Sequence, residues 1–212
     1  MIPANAFTWV PMLLATIGQH WADAPAPERM AAQIERETCI TLKHPKCWTP
    51  RAELKTSREN GIGFGQITRA YNADGSIRFD KQAELRARFG ELKGWVWEQR
   101  YEPRQQLTGL VLMDRTGFAQ YARLTATVDD AWAFTLSGYN GGDGAVMKDR
   151  LLCGRIAGCD PSRWFGHVEL HSTKSRVKWH GYGQSAYDIN RGYVREVFKR
   201  APEYRRTFWS MP

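Results

Sequence analysis

The sequence lacks the features that identify several large classes of protein. No apolar run approaches the roughly 20 residues that a membrane-spanning helix needs. No internal repeat with a period of about 20 to 50 residues indicates a solenoid or a propeller. Cysteine is scarce, and none of the four cysteines forms the Cys-x-x-Cys pair typical of structural zinc sites. The 212 residues therefore predict one soluble globular domain over 1–212.

Acidic residues are relatively few, because 22 Asp and Glu stand against 30 Lys and Arg, a formal net charge of +8. The aromatic content is 12% and includes nine tryptophans. A basic, aromatic-rich chain suits an anionic partner or one with stackable rings, such as nucleic acid, a membrane surface or a cell-wall glycan. Composition does not choose among these three.

The apolar stretch near the N-terminus does not have the pattern of a signal peptide. The first basic residue is Arg29, so no positively charged region precedes the stretch, and Pro11 interrupts it. Its apolar residues instead predict an amphipathic helix over 8–22 that packs on the core, with a surface-active helix as the alternative. The residues at this helical spacing are Val10, Leu13, Leu14, Ile17 and Trp21.

The cysteines occur as two local pairs, Cys39 with Cys47 and Cys153 with Cys159. Each pair can close a short loop, so two local disulfides are the favoured interpretation. Disulfides imply an oxidising compartment. The chain would have to reach that compartment without an export signal.

Hydrophobic periodicity predicts a mostly α fold with one short irregular or β-hairpin segment. That segment contains the glycines at 61, 63 and 65 and a turn at 72–75. Cys39 to Asn60 is predicted to be a loop, and Trp164 to Lys178 is ambiguous. The predicted helices after the glycines cover about 80–101, 103–124, 129–138 and 187–200.

An earlier helix, starting near Glu28, carries a candidate catalytic acid. At 100° per residue, Met30, Ile34 and Glu37 fall within about 60° of one another. Glu37 is therefore predicted to lie on the apolar face, and Glu35 to face water. A buried carboxyl group is suited to act as an acid, because burial disfavours its ionised form.

Three separated segments resemble the signatures of the soluble lytic transglycosylase family of the lysozyme superfamily. Ile34-Glu-Arg-Glu-Thr38 is similar to a helix ending in Glu-Ser, and Gly63-Phe-Gly-Gln-Ile67 is similar to Gly-Leu-Met-Gln-Ile. Gly138-Tyr-Asn-Gly-Gly142 is similar to Ala-Tyr-Asn-Ala-Gly, and Ile189-Asn-Arg-Gly-Tyr-Val194 is a weaker match to Glu-Thr-Arg-Gly-Tyr-Val. The resemblance covers about 28–198 and implies a lysozyme-like α+β fold without a separate cell-wall-binding domain.

The resemblance implies a role for each matched residue. Glu37 would be the catalytic glutamate, and Tyr139 would orient it through a hydroxyl hydrogen bond. The residues implied to bind substrate are Thr38, Ser57, Gln66, Tyr139 and Asn140. No cofactor and no metal are expected. Ile189 replaces the glutamate of the fourth signature, so that position has lost its charge.

The implied reaction is cleavage of the β-1,4 bond between N-acetylmuramic acid and N-acetylglucosamine in peptidoglycan. One glutamate acts as acid and then as base, drawing the 6-hydroxyl of the muramic acid onto C1 to leave a 1,6-anhydro ring. A muramidase is the alternative, with Glu59 as the second acid that hydrolysis normally requires.

The Cys-bounded loop directly after Glu37-Thr38 resembles phage endolysins of this superfamily. Such enzymes remain in the host cytoplasm until holin lesions admit them to the periplasm, which needs no export signal. We expect a monomer whose partners are glycan strands, with electrostatic attraction to the anionic envelope and no nucleic acid.

Two readings from other classes compete with a glycosidase. His167 and His171 have a spacing that permits metal binding, but the sequence between them is not that of a His-Glu-x-x-His zinc peptidase. A basic nucleic-acid- or wall-binding module without activity is the non-enzyme alternative. The cations are spread along the chain, and no helix-turn-helix or RNP-like signature accompanies them.

Overall fold

The fold is mostly helical, as a computed structural model describes it for residues 1–178 and 183–209. The described part of the chain has seven α-helices: α1 Ala4–His20, α2 Glu28–Thr38, α3 Lys81–Arg88, α4 Pro103–Ala122, α5 Val128–Gly141, α6 Asp143–Cys153 and α7 Ala186–Tyr204. Short 3₁₀ turns lie at Gly63–Gly65, Gly90–Leu92, Trp97–Gln99 and Val168–Leu170, and a π-helical turn at Arg205–Trp209.

Four short strands form one antiparallel sheet in the order β1-β2-β3-β4, so the mostly α, α+β class is confirmed. The strands are β1 Glu53–Lys55, β2 Glu59–Ile62, β3 Ile67–Tyr71 and β4 Ile77–Asp80. The 3₁₀ turn at Gly63–Gly65 connects β2 to β3, which places the glycine-rich signature at the junction of the two central strands.

The chain forms two compact units. Unit 1 contains Met1–Leu112 together with the C-terminal segment that starts at Arg200. Unit 2 contains Met113–Lys199. Glu37, the sheet and the glycine-rich turn belong to unit 1, whereas the Tyr139-Asn140 signature belongs to unit 2.

Helix α1 has the amphipathic pattern that its sequence predicts. Val10 and Leu13 are fully buried, and Ile17 and Trp21 are nearly so. The helix begins at Ala4, earlier than predicted, because Pro3 has an extended backbone and serves as the N-cap. None of the helices in the described residues combines the length and apolar composition that crossing a bilayer requires.

Other predicted segment boundaries are wrong as well. The helix predicted over 80–101 ends at Arg88, since the glycines at 90 and 94 favour short 3₁₀ turns over a continuing helix. The segment predicted as a loop up to Asn60 contains β1 and the start of β2, whose pairing depends on distant partners. Helix α5 continues past Gly138 to Gly141, so Tyr139 and Asn140 occupy its last turn.

The two disulfides join the pairs favoured from the sequence, Cys39–Cys47 in unit 1 and Cys153–Cys159 in unit 2. The first begins directly at the C-cap of α2. Glu37 and Thr38 therefore lie immediately before a covalently closed loop.

Candidate functional site

The two glutamates at the C-terminal end of α2 do not have the environments predicted for them. Glu35, predicted to face water, is only 5% exposed, whereas Glu37 is half-buried. The prediction of which side of α2 faces the core was wrong because α2 is buried around most of its circumference. Its residues from Glu28 through Glu35 are all buried, so its apolar side chains do not define one inward face.

Glu35 is held by three donors within unit 1. Arg200 donates to both carboxylate oxygens, and the Tyr204 hydroxyl donates to Oε2 at 2.7 Å. Trp48 Nε1 donates to the Tyr204 hydroxyl in turn. Burial and the adjacent Glu35 carboxylate raise the pKa of Tyr204. The Glu35 carboxylate is therefore fully engaged in a structural network and is not accessible to a substrate.

Thr38 is buried, and its hydroxyl both donates and accepts a hydrogen bond within unit 1. It donates to the Ile34 carbonyl at 2.6 Å and accepts from the Trp48 backbone N–H at 2.9 Å. The hydroxyl thus fastens the end of α2 to the residue that follows the Cys39–Cys47 loop. The sugar contact implied for Thr38 gains no support from this geometry.

The glycine-rich turn of unit 1 packs against α2 and requires glycine at its first position. Gly63 has φ +69°, which favours glycine, and a Cβ there would collide with the Gln106 side-chain amide. Gln106 accepts from the Phe64 N–H at 3.0 Å and donates to the carbonyls of Pro50 and Arg100 at 2.9 and 2.8 Å. This buried glutamine of α4 therefore fixes the shape of the turn.

Sequence reasoning missed Gln106, although a signal for it exists. It precedes Leu110 by one helical turn and so shares the buried side of α4, where a polar residue needs internal partners. Its partner Phe64 is 42 residues away in the chain, so the sequence alone does not identify it.

Gln66 ends the turn in a left-handed conformation, with φ 44°. Its Nε2 donates to the Gly63 carbonyl at 3.0 Å and to the Ala52 carbonyl at 3.4 Å. Its Oε1 is buried and accepts no hydrogen bond within the described residues. A Cβ at Gly61 would lie 2.8 Å from this oxygen, so Gly61 leaves the space that the glutamine oxygen occupies.

One face of the sheet carries the Gln66 side chain together with Glu59. Because side chains alternate along a strand, Glu59 projects to the same face as the Cβ position of Gly61. Glu59 is half-buried. Ser57 is exposed in the turn between β1 and β2. The sheet face defined by Glu59, Gly61 and Thr68, together with Gln66, is the polar part of the candidate site in unit 1.

The opposite face of the sheet is internally braced. Asn60 Nδ2 and the Tyr101 hydroxyl both donate to Glu53 Oε1, at 3.0 and 3.2 Å. Arg69 pairs with Asp80. These contacts occupy most of the polar groups of that face, although Asn60 Oδ1 is buried and accepts no hydrogen bond within the described residues. The candidate site is assigned to the Glu59 face because Gln66, which matches the glycine-rich signature, lies on it.

In unit 2, the space or the backbone conformation at each glycine of the Gly138–Gly142 signature disfavours a larger residue. A Cβ at Gly138 would lie within 2.5 Å of Asp143 Oδ1, which accepts from the Tyr121 hydroxyl at 2.9 Å. Gly141 lies against the Asn190 amide, and Gly142 has φ +84° where α5 gives way to α6. The backbone around Tyr139 and Asn140 is therefore tightly defined by its neighbours.

Asn190, in the fourth and weaker signature, hydrogen-bonds to Ser137 and to Asn140 of the third. Asn190 Nδ2 donates to Asn140 Oδ1 at 3.1 Å and to the Ser137 carbonyl at 3.0 Å. Asn190 Oδ1 accepts from Ser137 Oγ and from Arg191. Asn140 is exposed and Tyr139 is half-buried. The Asn190 amide thus orients the Asn140 side chain at the surface of unit 2.

Neither histidine of the metal-binding reading belongs to a metal cluster. His167 Nδ1 accepts from the Asp160 N–H at 3.0 Å, and the two histidines flank a 3₁₀ turn instead of sharing a face of an α-helix. Within residues 1–178 and 183–209, no group of three or more His, Cys, Asp or Glu residues is arranged to hold a metal ion.

Comparison with known proteins adds no assignment. No protein-family model matches the chain, and no curated protein is similar enough in sequence to count as a relative. The resemblance to lytic transglycosylases rests on the sequence motifs themselves.

Proposed function

We propose that the protein is a peptidoglycan-cleaving glycosidase with a lysozyme-like fold, acting on the β-1,4 bond between N-acetylmuramic acid and N-acetylglucosamine. The observation that carries the proposal is the position of Glu37. This half-buried carboxylate lies in the last turn of α2, and α2 packs on the turn that Gly63 and Gln106 shape. Protonation of a glycosidic oxygen needs an acid in such a partly buried but reachable position.

The environments of the two α2 glutamates favour Glu37 over Glu35 as the acid. A general acid must reach the leaving oxygen within hydrogen-bonding distance. Glu35 is buried and already accepts from Arg200 and Tyr204. The assignment therefore no longer depends on a predicted apolar face.

The first form of the proposal is a lytic transglycosylase in which Glu37 alone handles the proton. Glu37 donates its proton to the leaving oxygen and then takes the proton of the muramic acid 6-hydroxyl, which bonds to C1 and closes the 1,6-anhydro ring. In unit 1, Gln66 and Ser57 would hold sugar hydroxyl or acetamido groups. Asn140 and Tyr139 of unit 2 keep the roles that the resemblance implies for them. Gln66 is half-buried, so part of its side chain is open to a ligand.

A muramidase is the second form, and one observation favours it. Glu59 projects to the same face of the sheet as Gly61, and Gln66 Oε1 lies against Gly61. A second carboxylate therefore lies on the same face as the proposed sugar-binding glutamine. A hydrolase uses such a carboxylate as base or nucleophile. Glu59→Gln separates the two forms, because it abolishes hydrolysis and leaves transglycosylation largely intact.

The biological setting that fits this proposal is phage-induced lysis. An endolysin would be held in the host cytoplasm, reach the periplasm through holin lesions and form its two disulfides there. The excess of cations would assist adsorption to the anionic envelope.

The proposal is tested by the clearing of a purified peptidoglycan suspension. Wild-type protein should clear the suspension, and Glu37→Gln should retain no more than a few per cent of that rate at an unchanged melting temperature. Glu91→Gln, which removes an exposed carboxylate of unit 1, is the matched control and should behave as wild type. Full activity of the Glu37 variant would overturn the assignment.

A further inference from the structure

Lys174 lies beside the Tyr139-Asn140 signature, and neither the motifs nor the proposed reaction uses it. Its side chain is half-buried, and its ammonium donates to the Gly141 carbonyl at 3.4 Å. An ammonium carries three N–H donors, so one long hydrogen bond leaves it with unused capacity. Burial lowers the pKa of Lys174, and the nearby Arg191 charge lowers it further, against the opposing effect of Asp149.

The backbone that carries Lys174 is rigidly anchored. Asp149 accepts from Ser172 Oγ at 2.8 Å and from the N–H and hydroxyl of Thr173 at 2.7 and 2.9 Å. Ser172 Oγ in turn accepts from the Lys174 N–H at 3.0 Å. Asp149 is itself fully buried and paired with Arg191. The backbone from which the Lys174 side chain extends is therefore held in a defined position.

The signature itself makes room for this lysine. A Cβ at Gly141 would lie 2.9 Å from Lys174 Nζ and 2.7 Å from Asn190 Nδ2. Because Gly141 has no side chain, the ammonium can approach the backbone next to Asn140.

We propose that Lys174 contacts the substrate by binding a carboxylate on the lactyl-peptide arm of the muramic acid that Asn140 contacts. The inference rests on the proposed function and adds a specificity determinant to it. The N-acetylated sugar rings are uncharged, so the anionic groups near the glycan lie on this arm. They are the stem-peptide carboxylates, or the lactyl carboxylate once the peptide is removed. A partly desolvated ammonium on an anchored backbone distinguishes such an arm from a neutral glycan.

The test compares the intact full-length chain with Lys174→Met, Lys174→Arg and Lys148→Met. The last is the matched control, since Lys148 is an exposed cation of α6 and its replacement changes the net charge equally. Three glycans are used: peptide-bearing strands, strands stripped of peptide by an amidase, and stripped strands whose lactyl carboxylate has been converted to a neutral amide. Initial rates give kcat and KM for each, and melting temperatures monitor folding.

On carboxylate-bearing strands, Lys174→Met should raise KM by roughly tenfold, the usual effect of losing a charge-assisted hydrogen bond. Lys174→Arg should restore most of that loss, and Lys148→Met should match wild type. On the neutral amide strands, Lys174→Met and wild type should be equal. A loss on stripped strands identifies the lactyl carboxylate, and a loss confined to peptide-bearing strands identifies the stem peptide.

Two results overturn the inference while leaving the proposed function intact. One is an unchanged KM for Lys174→Met on every strand. The other is an equal loss on carboxylate-bearing and neutral strands, which would mean that Lys174 only supports the end of α5. If wild-type protein cleaves none of the three glycans, the proposed function fails and this inference fails with it.

Discussion

Replacement of Glu35 by alanine should destabilise the protein, although a water-facing glutamate would tolerate the change. The substitution leaves Arg200 and the Tyr204 hydroxyl without their buried acceptor. Removing one partner of a buried ion pair costs about 3–5 kcal/mol. The Arg200 side chain is 22% exposed and recovers some hydration, so the lower end of that range, about 3 kcal/mol, applies.

That loss is a large fraction of the total stability, since a typical domain is stable by only about 5–15 kcal/mol. For a chain of this size it corresponds to a fall in Tm of roughly 6–12 °C. The measurement is a thermal melt followed by circular dichroism, repeated with guanidinium to check that the denaturant slope is unchanged. Glu84→Ala is the control, because its ion pair with Lys81 lies at the surface of α3 and its loss should shift Tm by little.

A double-mutant cycle locates the effect in the ion pair itself. Arg200→Met alone leaves the Glu35 carboxylate buried and uncompensated, whereas the Glu35→Ala, Arg200→Met double variant removes both charges. The double variant should be more stable than the two single losses added together predict. A Tm for Glu35→Ala within about 2 °C of wild type, or strictly additive losses, would refute the reasoning about this network.

Three further perturbations have defined outcomes. Gly63→Ala should lower the free energy of unfolding by about 1–3 kcal/mol and reduce lytic activity, because it strains the backbone and displaces the Gln106 amide. A wild-type melting temperature and a wild-type rate of peptidoglycan clearing would contradict this. The raised pKa of Tyr204 keeps its hydroxyl protonated in the folded state above pH 10.0, where the unfolded chain loses this proton. The hydroxyl's contribution to stability is therefore complete below that pH, and the free energy of unfolding should fall above it by up to about 1.4 kcal/mol per pH unit. Tyr204→Phe should weaken this alkaline dependence. Replacing Cys39 and Cys47 by serine opens a loop with a sequence separation of 8 and should cost about 2–3 kcal/mol together with activity, whereas the Cys153, Cys159 double-serine variant should lose stability alone.

The features that sequence reasoning predicted correctly are local in the chain. Helix α4 was predicted over 103–124 and spans Pro103–Ala122, because proline starts it and a continuous apolar face sustains it. The disulfide partners are close neighbours in sequence. The mostly α class follows from the same local periodicities.

The errors arose where distant residues decide the environment. Glu35 is buried because Arg200, 165 residues away, neutralises it, and no pattern within α2 reveals that partner. The strands β1 and β2 are too short for a clear alternation, so their pairing defines them. The resemblance alone supplied the candidate roles of Ser57, Gln66, Tyr139 and Asn140. These roles stay predictions.

The most direct test of the central claim is mass spectrometry of the fragments that wild-type protein and Glu37→Gln release from purified peptidoglycan. We expect wild-type protein to release disaccharide-peptides that are lighter than hydrolysis products by one water molecule and that lack a reducing end. Glu37→Gln should release none. Fragments with reducing ends would replace the transglycosylase by the muramidase that uses Glu59. Equal release by the Glu37 variant, or no glycan cleavage by wild type, would contradict the claim that Glu37 cleaves murein.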